Sequence, residues 1–398
     1  MKKLLTATAA GALMAGAAFA DNHSNEIKMG VLLGYTGPIE SLTPAMAAGA
    51  EMAMAEVTES GLLLDGATVT PVRADTTCVD SAAATAAAER LITSDGVSAI
   101  MGADCSGVTG AVLANVAVPN GMVMISPSAT SPALSAAEDN GLFFRTAPSD
   151  ARQGAVLAEV LVEKGMMSVA VTYTNNDYGK GFADAFQASF EEAGGSVTLA
   201  APHEDGKADY SAEVGALASA GGDALVVLGY VDQGGAGIIQ GALDSGAFDI
   251  FALGDGMIGD ALTDAFGSDI DGSIGTAPGS DNAGGATFAE MASAAGIDGT
   301  SVYAGESYDA AALMLLAMAA AGSSDPAEYV GKIEMVANAP GETIMPGELA
   351  KAIEILAGGG DVDYSGATGV EFVGPGEAAG SYAEFIVEDG ALEVVGYR

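Results

Sequence analysis

The fold turns on VSAIMGADCSGVTG, residues 97 to 110. Val97 to Met101 is a short apolar run, the signature of a strand buried on both faces. Val108 to Val118 has helical spacing. Between them an acid, a cysteine and a hydroxyl stand side by side: Asp104, Cys105, Ser106. A buried strand running directly into a helix is half of a βαβ unit, so the same pattern should recur on either side.

It does. Ile27 to Leu33 reads as a strand. Thr43 and Pro44 read as an N-cap and first helical residue, and Met46, Ala50, Met54 and Val57 come next at helical spacing. Thr68 to Arg73 is a second strand, and Pro71 marks it as an edge or irregular one. Asp80 caps a helix carrying Ala84, Ala88, Leu91 and Ile92, and Met122 to Ile125 is strand-like. The rhythm restarts after Pro148 with strands at Ser168 to Tyr173, Ser196 to Ala201 and Ala224 to Leu228. Phe182, Phe186 and Phe190 lie one helical turn apart, a stripe that packs on a sheet. Gly194 and Gly195 stop that helix. Two alternating runs predict two α/β lobes with parallel sheets.

The first twenty residues, MKKLLTATAAGALMAGAAFA, read as a secretory signal peptide cut before Asp21. The rest of the chain is too long for one typical core. The longest later apolar stretch, Ala310 to Ala321, is too short for a bilayer span and reads as a buried or amphipathic helix. The net charge of −40 excludes nucleic acid and anionic membranes as partners, since both demand basic patches. Cys78 and Cys105 are the only cysteines. Export makes a disulfide their default, with two free thiols as the alternative. Histidine occurs only at His23 and His203, too few for a zinc site.

Ligands of open parallel sheets bind beyond the carboxyl ends of the strands. Two stretches lie there: Asp104 to Gly107, and ISPSATSPAL, residues 125 to 134. Ser106, Ser128 and Thr130 could serve one anion, although such residues at helix starts are usually plain caps. The glycine-rich run at 234 to 241 has the wrong spacing for a dinucleotide fingerprint and reads as a helix start. G-x-S-x-G, P-loop and His-rich metal motifs are missing, so neither an enzyme nor a cofactor is expected.

Taken in order, IKMGVLLGYTGPIESLTPAMAAGAEMA, the Cys78 and Cys105 pair, VSAIMGADCSG, MISPSATSPALS, FFRTAPSD, VTYTNNDYGKGFADAF, YSAEV and ESYDAAALMLLAMAAAGS resemble the periplasmic branched-chain amino-acid binding proteins of ABC transporters, the leucine-binding type. The resemblance implies a type I periplasmic binding protein: α/β, two doubly wound parallel-sheet lobes joined by a three-strand hinge. It places residues 1–20 in the signal peptide, 21–147 and 276–366 in the N-terminal lobe, and 148–275 and 367–398 in the C-terminal lobe. It also implies a monomer in the periplasm that closes on a small amino acid and delivers it to an inner-membrane permease with a cytoplasmic ATPase. A cationic or polar solute, or a sensory role, are the alternatives.

The same resemblance assigns roles. Ser106, Ser128 and Thr130 would meet the ligand carboxylate and Asp255 its ammonium. Tyr178, Tyr230 and Tyr303 would line the pocket, and a Cys78–Cys105 disulfide would pin the loop carrying Ser106. Leu42 stands where an aromatic is common. Asp104 departs from the apolar residue usual in members with hydrophobic ligands. An unpaired carboxylate against an aliphatic side chain would be costly. Asp104 is therefore expected either to face water, as a solvated acid, or to meet a polar or cationic ligand. Glu306 is a further acid beside the Tyr308-Asp309-Ala310 run.

Overall fold

The computed structural model describes residues 25–398, and the expected signal peptide and His23 lie outside them. Five strands form the first run: β1 (Glu26–Leu33), β2 (Thr68–Asp75), β3 (Ala99–Gly102), β4 (Met124–Ser126) and β5 (Phe143–Arg145). Five more form the second: β6 (Ser168–Thr174), β7 (Ser196–His203), β8 (Ala224–Leu228), β9 (Phe251–Leu253) and β10 (Ile274–Pro278). The remainder supplies β11 (Glu342–Ile344), β12 (Val362–Tyr364), β13 (Phe372–Gly374), β14 (Glu377–Ala378), β15 (Tyr382–Glu388) and β16 (Ala391–Tyr397).

Two seven-stranded sheets result. Their orders are β13-β14-β5-β4-β3-β1-β2 and β16-β15-β10-β9-β8-β6-β7. Each has a doubly wound core whose order reverses between the first and third strands of its run, which puts a crevice at the carboxyl ends of those strands. β2 is an edge strand, and Pro71 pairs only with Met29 of β1. A proline lacks the N–H that a second neighbour would require.

The two halves are laid out on the same plan. In the first lobe the helix Thr43–Ser60 packs along the helix Ala304–Ala321, whose residues from Ser307 to Met318 are fully buried. The two backbones touch: a Cβ at Gly49 would lie 2.2 Å from the Ala304 carbonyl oxygen, so only glycine fits. In the second lobe Phe182, Phe186 and Phe190 are fully buried on the helix Asp177–Glu192.

Three details differ from the sequence reading. Thr43 is inside its helix rather than capping it; Leu42 is the N-cap and contributes no side-chain bond. Residues 367–378 lie with the first lobe, because β13 and β14 pair at the edge of its sheet, Glu377 opposite Arg145. β10, which begins at Ile274, belongs wholly to the second sheet. The chain therefore crosses between lobes at 145–150, at 278–283 and at 378–382. Backbone pairing, not local composition, fixes those points.

Cys78 and Cys105 are joined, closing a loop 27 positions long.

Candidate functional site

The two crevices face each other. Ile39, Leu42, Asp104, Cys105, Ser106 and Ser128 come from the first lobe and the start of Ala304–Ala321 adds Tyr303. Tyr178, Tyr230, Asp255 and Gly256 come from the second. Direct bonds close the lobes together: Ser131 Oγ donates to the Asp177 carbonyl (3.0 Å), and the Ser41 N–H donates to Asp232 Oδ2 (2.9 Å). The cavity left between them is about 20 Å³, room for about one water molecule. A solute of amino-acid size enters only if the lobes open.

On the first-lobe side the groups are hydroxyls. Ser106 Oγ accepts from the Ser131 N–H at 3.1 Å, which leaves its own proton free to donate. Ser128 Oγ donates to the Asp104 carbonyl at 3.1 Å. Thr130 is buried behind the cavity surface rather than on it.

The second lobe offers a carboxylate framed by phenols, one from each lobe. Tyr178 donates to Asp255 Oδ1 at 2.5 Å, Tyr303 donates to Oδ2, and the Gly256 N–H donates to the Tyr178 oxygen at 3.2 Å. The Tyr178 and Tyr230 rings stack at 5.2 Å, 17° apart. Burial raises the Asp255 pKa, and the two phenols act against that rise.

Asp104 lines the cavity but does not face bulk water. It is 1% exposed, so it is not a solvated acid. Each of its oxygens already takes one bond from within the first lobe. Oδ2 accepts from the Gly34 N–H (2.5 Å) and Oδ1 from the Thr76 hydroxyl (2.9 Å). Thr76 in turn accepts from the Cys78 N–H at 3.0 Å. The acid thus braces the ends of β1 and β2 against the segment carrying Ser106, in parallel with the disulfide. Burial still raises its pKa, opposed by those bonds.

Two functional candidates escaped the sequence reading. Arg145 is completely buried; its Nη1 donates to the carbonyls of Ala129 (3.1 Å) and Ser131 (2.9 Å), while Nε and Nη2 hold Glu377. It fixes the 128–131 loop to the third crossover. An arginine ending the apolar run FFR was the available signal. Asp150 is also fully buried, at the start of the helix Asp150–Glu163. Neither of its oxygens, nor the neighbouring Thr130 hydroxyl, completes a hydrogen bond of good geometry. Burial first, and then the charge on Asp255, push its pKa well up. The charge on Asp255 thus reaches Asp150, opposed by Arg145, although Asp150 does not itself line the cavity.

Comparison with known proteins adds to this geometry. Residues 26–347 match a family model described as periplasmic binding protein. Leu/Ile/Val-binding protein homolog 1 of Brucella melitensis is 30% identical over 334 residues, 82% of this chain and 86% of that protein. Homolog 3 of the same organism is 34% identical over 58% of this chain and 61% of its own length. The chemotactic signal transduction system substrate-binding protein BasB of Halobacterium salinarum is 29% identical, covering 86% of this chain and 82% of that one. Among solved structures, the leucine-binding protein LivK of Thermotoga maritima aligns with a TM-score of 0.76 at 24% identity, over 93% of this chain and 98% of that one. LivJ of Streptococcus pneumoniae, in complex with isoleucine, aligns with a TM-score of 0.76 at 23% identity, over 94% and 99%. These two likenesses establish the fold.

Proposed function

Because this chain belongs to the periplasmic binding protein family, whose relatives here are solute-binding proteins and not enzymes, we propose that it captures a small aliphatic α-amino acid by lobe closure and hands it to an ABC-type permease. One observation carries the reading: opposite walls of one cleft have opposite chemistry. Hydroxyls at Ser106 and Ser128 stand on the first lobe, and the buried acceptor Asp255 stands on the second. Bringing them together removes water from both ends of a zwitterion and replaces it with partners. Between them Ile39, Leu42, Tyr178 and Tyr230 offer apolar surface to a side chain. Asp104 does not argue for a cationic side chain here, because its oxygens already hold Gly34 and Thr76. The names of the relatives, Leu/Ile/Val-binding among them, support the same class. The expected leader at residues 1–20 fits delivery to the periplasm.

Titration calorimetry of L-leucine, L-isoleucine and L-valine tests this. Asp255→Asn should weaken the best of them at least about thirtyfold, since a buried charge pair loses one partner and about 2–5 kcal/mol. Ser106→Ala should cost about tenfold. Wild-type affinity in Asp255→Asn refutes the ammonium assignment. A second reading, a receptor that reports the same solute to a signalling protein, is favoured by the likeness to BasB. Binding alone does not separate the two; uptake measured in a strain lacking the protein does.

A further inference from the structure

A second and much larger interlobe space lies beside the hinge. This groove measures about 980 Å³ and takes its walls from both lobes: Ala45, Phe288 and Val302 from the first, Ile258 and Phe385 from the second. Leu42 and Tyr303 border both it and the small cavity at Asp255, so the two are neighbours divided by those side chains. The volume is in the range of small-molecule sites, about 300–1,000 Å³.

Glu306 reaches this groove from the first turn of Ala304–Ala321. It is 5% exposed. The hydrogen bond credited to its carboxyl is with its own backbone N–H. Thr146, the nearest hydroxyl of the first crossover, spends its proton on the Glu306 carbonyl instead (2.9 Å). On the hinge side the neighbours are neutral: Thr146 and Pro148, Pro278 and Gly279, Gly380 and Ser381 from the three crossovers, and the 368–370 loop. The charged group acting on it is Asp309, one turn further along the helix, and that effect is repulsive. Asp260, Asp264, Asp281 and Asp298 line the groove further out and are exposed. A buried carboxyl without an outside donor is costly unless something arrives to pair with it. The groove is acidic at both depths and apolar between them.

We propose that this groove is a second binding site, separate from the amino-acid cleft, for an aliphatic amine whose ammonium pairs with Glu306. The methylene chain lies along Ala45, Phe288 and Val302. A second ammonium, where the solute has one, sits among the aspartates at the mouth. Burial pushes the Glu306 pKa up to about 8, so its carboxyl is largely protonated at neutral pH. An arriving ammonium favours the ionised form, and the carboxyl proton leaves to buffer.

The test is calorimetry of the protein with cadaverine, 1,5-pentanediol and L-leucine at pH 7, in phosphate and in Tris. Cadaverine should bind and release close to one proton, read from the difference in heat between buffers, and pentanediol should not bind. Glu306→Gln should lower cadaverine affinity at least tenfold and abolish the proton release, with leucine affinity unchanged. The double variant Asp281→Asn/Asp298→Asn, exposed and harmless to folding, should weaken cadaverine several-fold and flatten its salt dependence. No cadaverine binding at millimolar concentration, equal binding of pentanediol, or an unaltered Glu306→Gln variant each overturns the proposal. Failure of leucine alone to bind strikes the amino-acid reading and leaves this one standing.

Discussion

Replacing both Cys78 and Cys105 by alanine removes one covalent tie and leaves the buried space nearly filled, since the two residues are 3% and 5% exposed. The bond closes a loop 27 positions long. The chain-entropy treatment gives about 3–4 kcal/mol for a loop of that size. Every residue of the loop belongs to the first lobe, so the loss should fall on that lobe alone. For a unit of some two hundred residues, each kcal/mol moves the midpoint by about 2–4 °C, which puts the first-lobe transition roughly 6–16 °C lower. Differential scanning calorimetry should show the shift in the part of the heat absorption that belongs to the first lobe, and the second-lobe contribution should stay where it is. The second effect is on binding. The disulfide and Asp104 hold the same segments in parallel, through Thr76 and the Cys78 N–H. Combining the double replacement with Asp104→Asn should therefore cost more affinity for the amino acid than the two changes summed. A first-lobe shift under about 2 °C, or a shift shared equally by both lobes, refutes the reasoning.

Three further outcomes are expected from the buried groups. Glu306, with its pKa pushed up to about 8, and Asp309, pushed up to about 6, keep protons in the folded state that the unfolded chain has already released. The folded state thus binds more protons across that window, and stability falls as pH rises from about 4.5 to 8, with a limit of about 1.4 kcal/mol per pH unit per group. Denaturant titrations at pH 5 and pH 8 should show the fall, and Glu306→Gln should flatten it; parallel profiles would count against the assignment. Phe186→Ala opens a cavity under a fully buried ring stacked on Phe190 at 5.2 Å. It should cost about 3–5 kcal/mol in the second lobe, measured by the same calorimetry, with amino-acid affinity unchanged. Asp104→Leu leaves the Gly34 N–H and the Thr76 hydroxyl buried without acceptors, at about 1–3 kcal/mol each. It should weaken leucine and arginine alike in calorimetry. A loss confined to arginine would show that Asp104 meets the ligand after all.

The strands and the phenylalanine stripe were legible because their signal is periodic and local. β13 and β14 were not. They are three and two residues long, and their place depends on Glu377 pairing with Arg145, far away in sequence. The Thr43-Pro44 signal misplaced a boundary by one residue, since a threonine before proline looks the same at the cap and inside the first turn. Leu42, Ser106, Ser128, Tyr178, Tyr230, Asp255 and Tyr303 do gather around one cavity. Only an ordered family resemblance, not any spacing, brought the two lobes' residues into one list.

The acids explain why the rest stayed hidden. In a chain with 53 of them, composition offers no reason to single out any one. Among the described residues Asp104, Asp150, Asp255, Glu306, Asp309 and Glu384 are buried, and they differ in how many acceptors each has left. Asp309 is saturated by Tyr364, Ala367 and Thr368, and Asp104 is tied at each oxygen to the first lobe by Gly34 and Thr76. Glu384 is paired with Lys164 and Arg398. Those three hold the fold. Asp255 is met by two phenols on tyrosines that line the cleft, groups that an incoming ammonium can join or displace. Asp150 and Glu306 have acceptors to spare. The partners that satisfy Asp104 are 70 and 28 positions away, so nothing in GADCSG could reveal that its acid was already committed. Charge in the sequence marks where a cation could go. Unspent acceptors in the fold mark where one is wanted, and here they mark two places: the interlobe cleft at Asp255, with Asp150 buried behind it, and the hinge groove at Glu306.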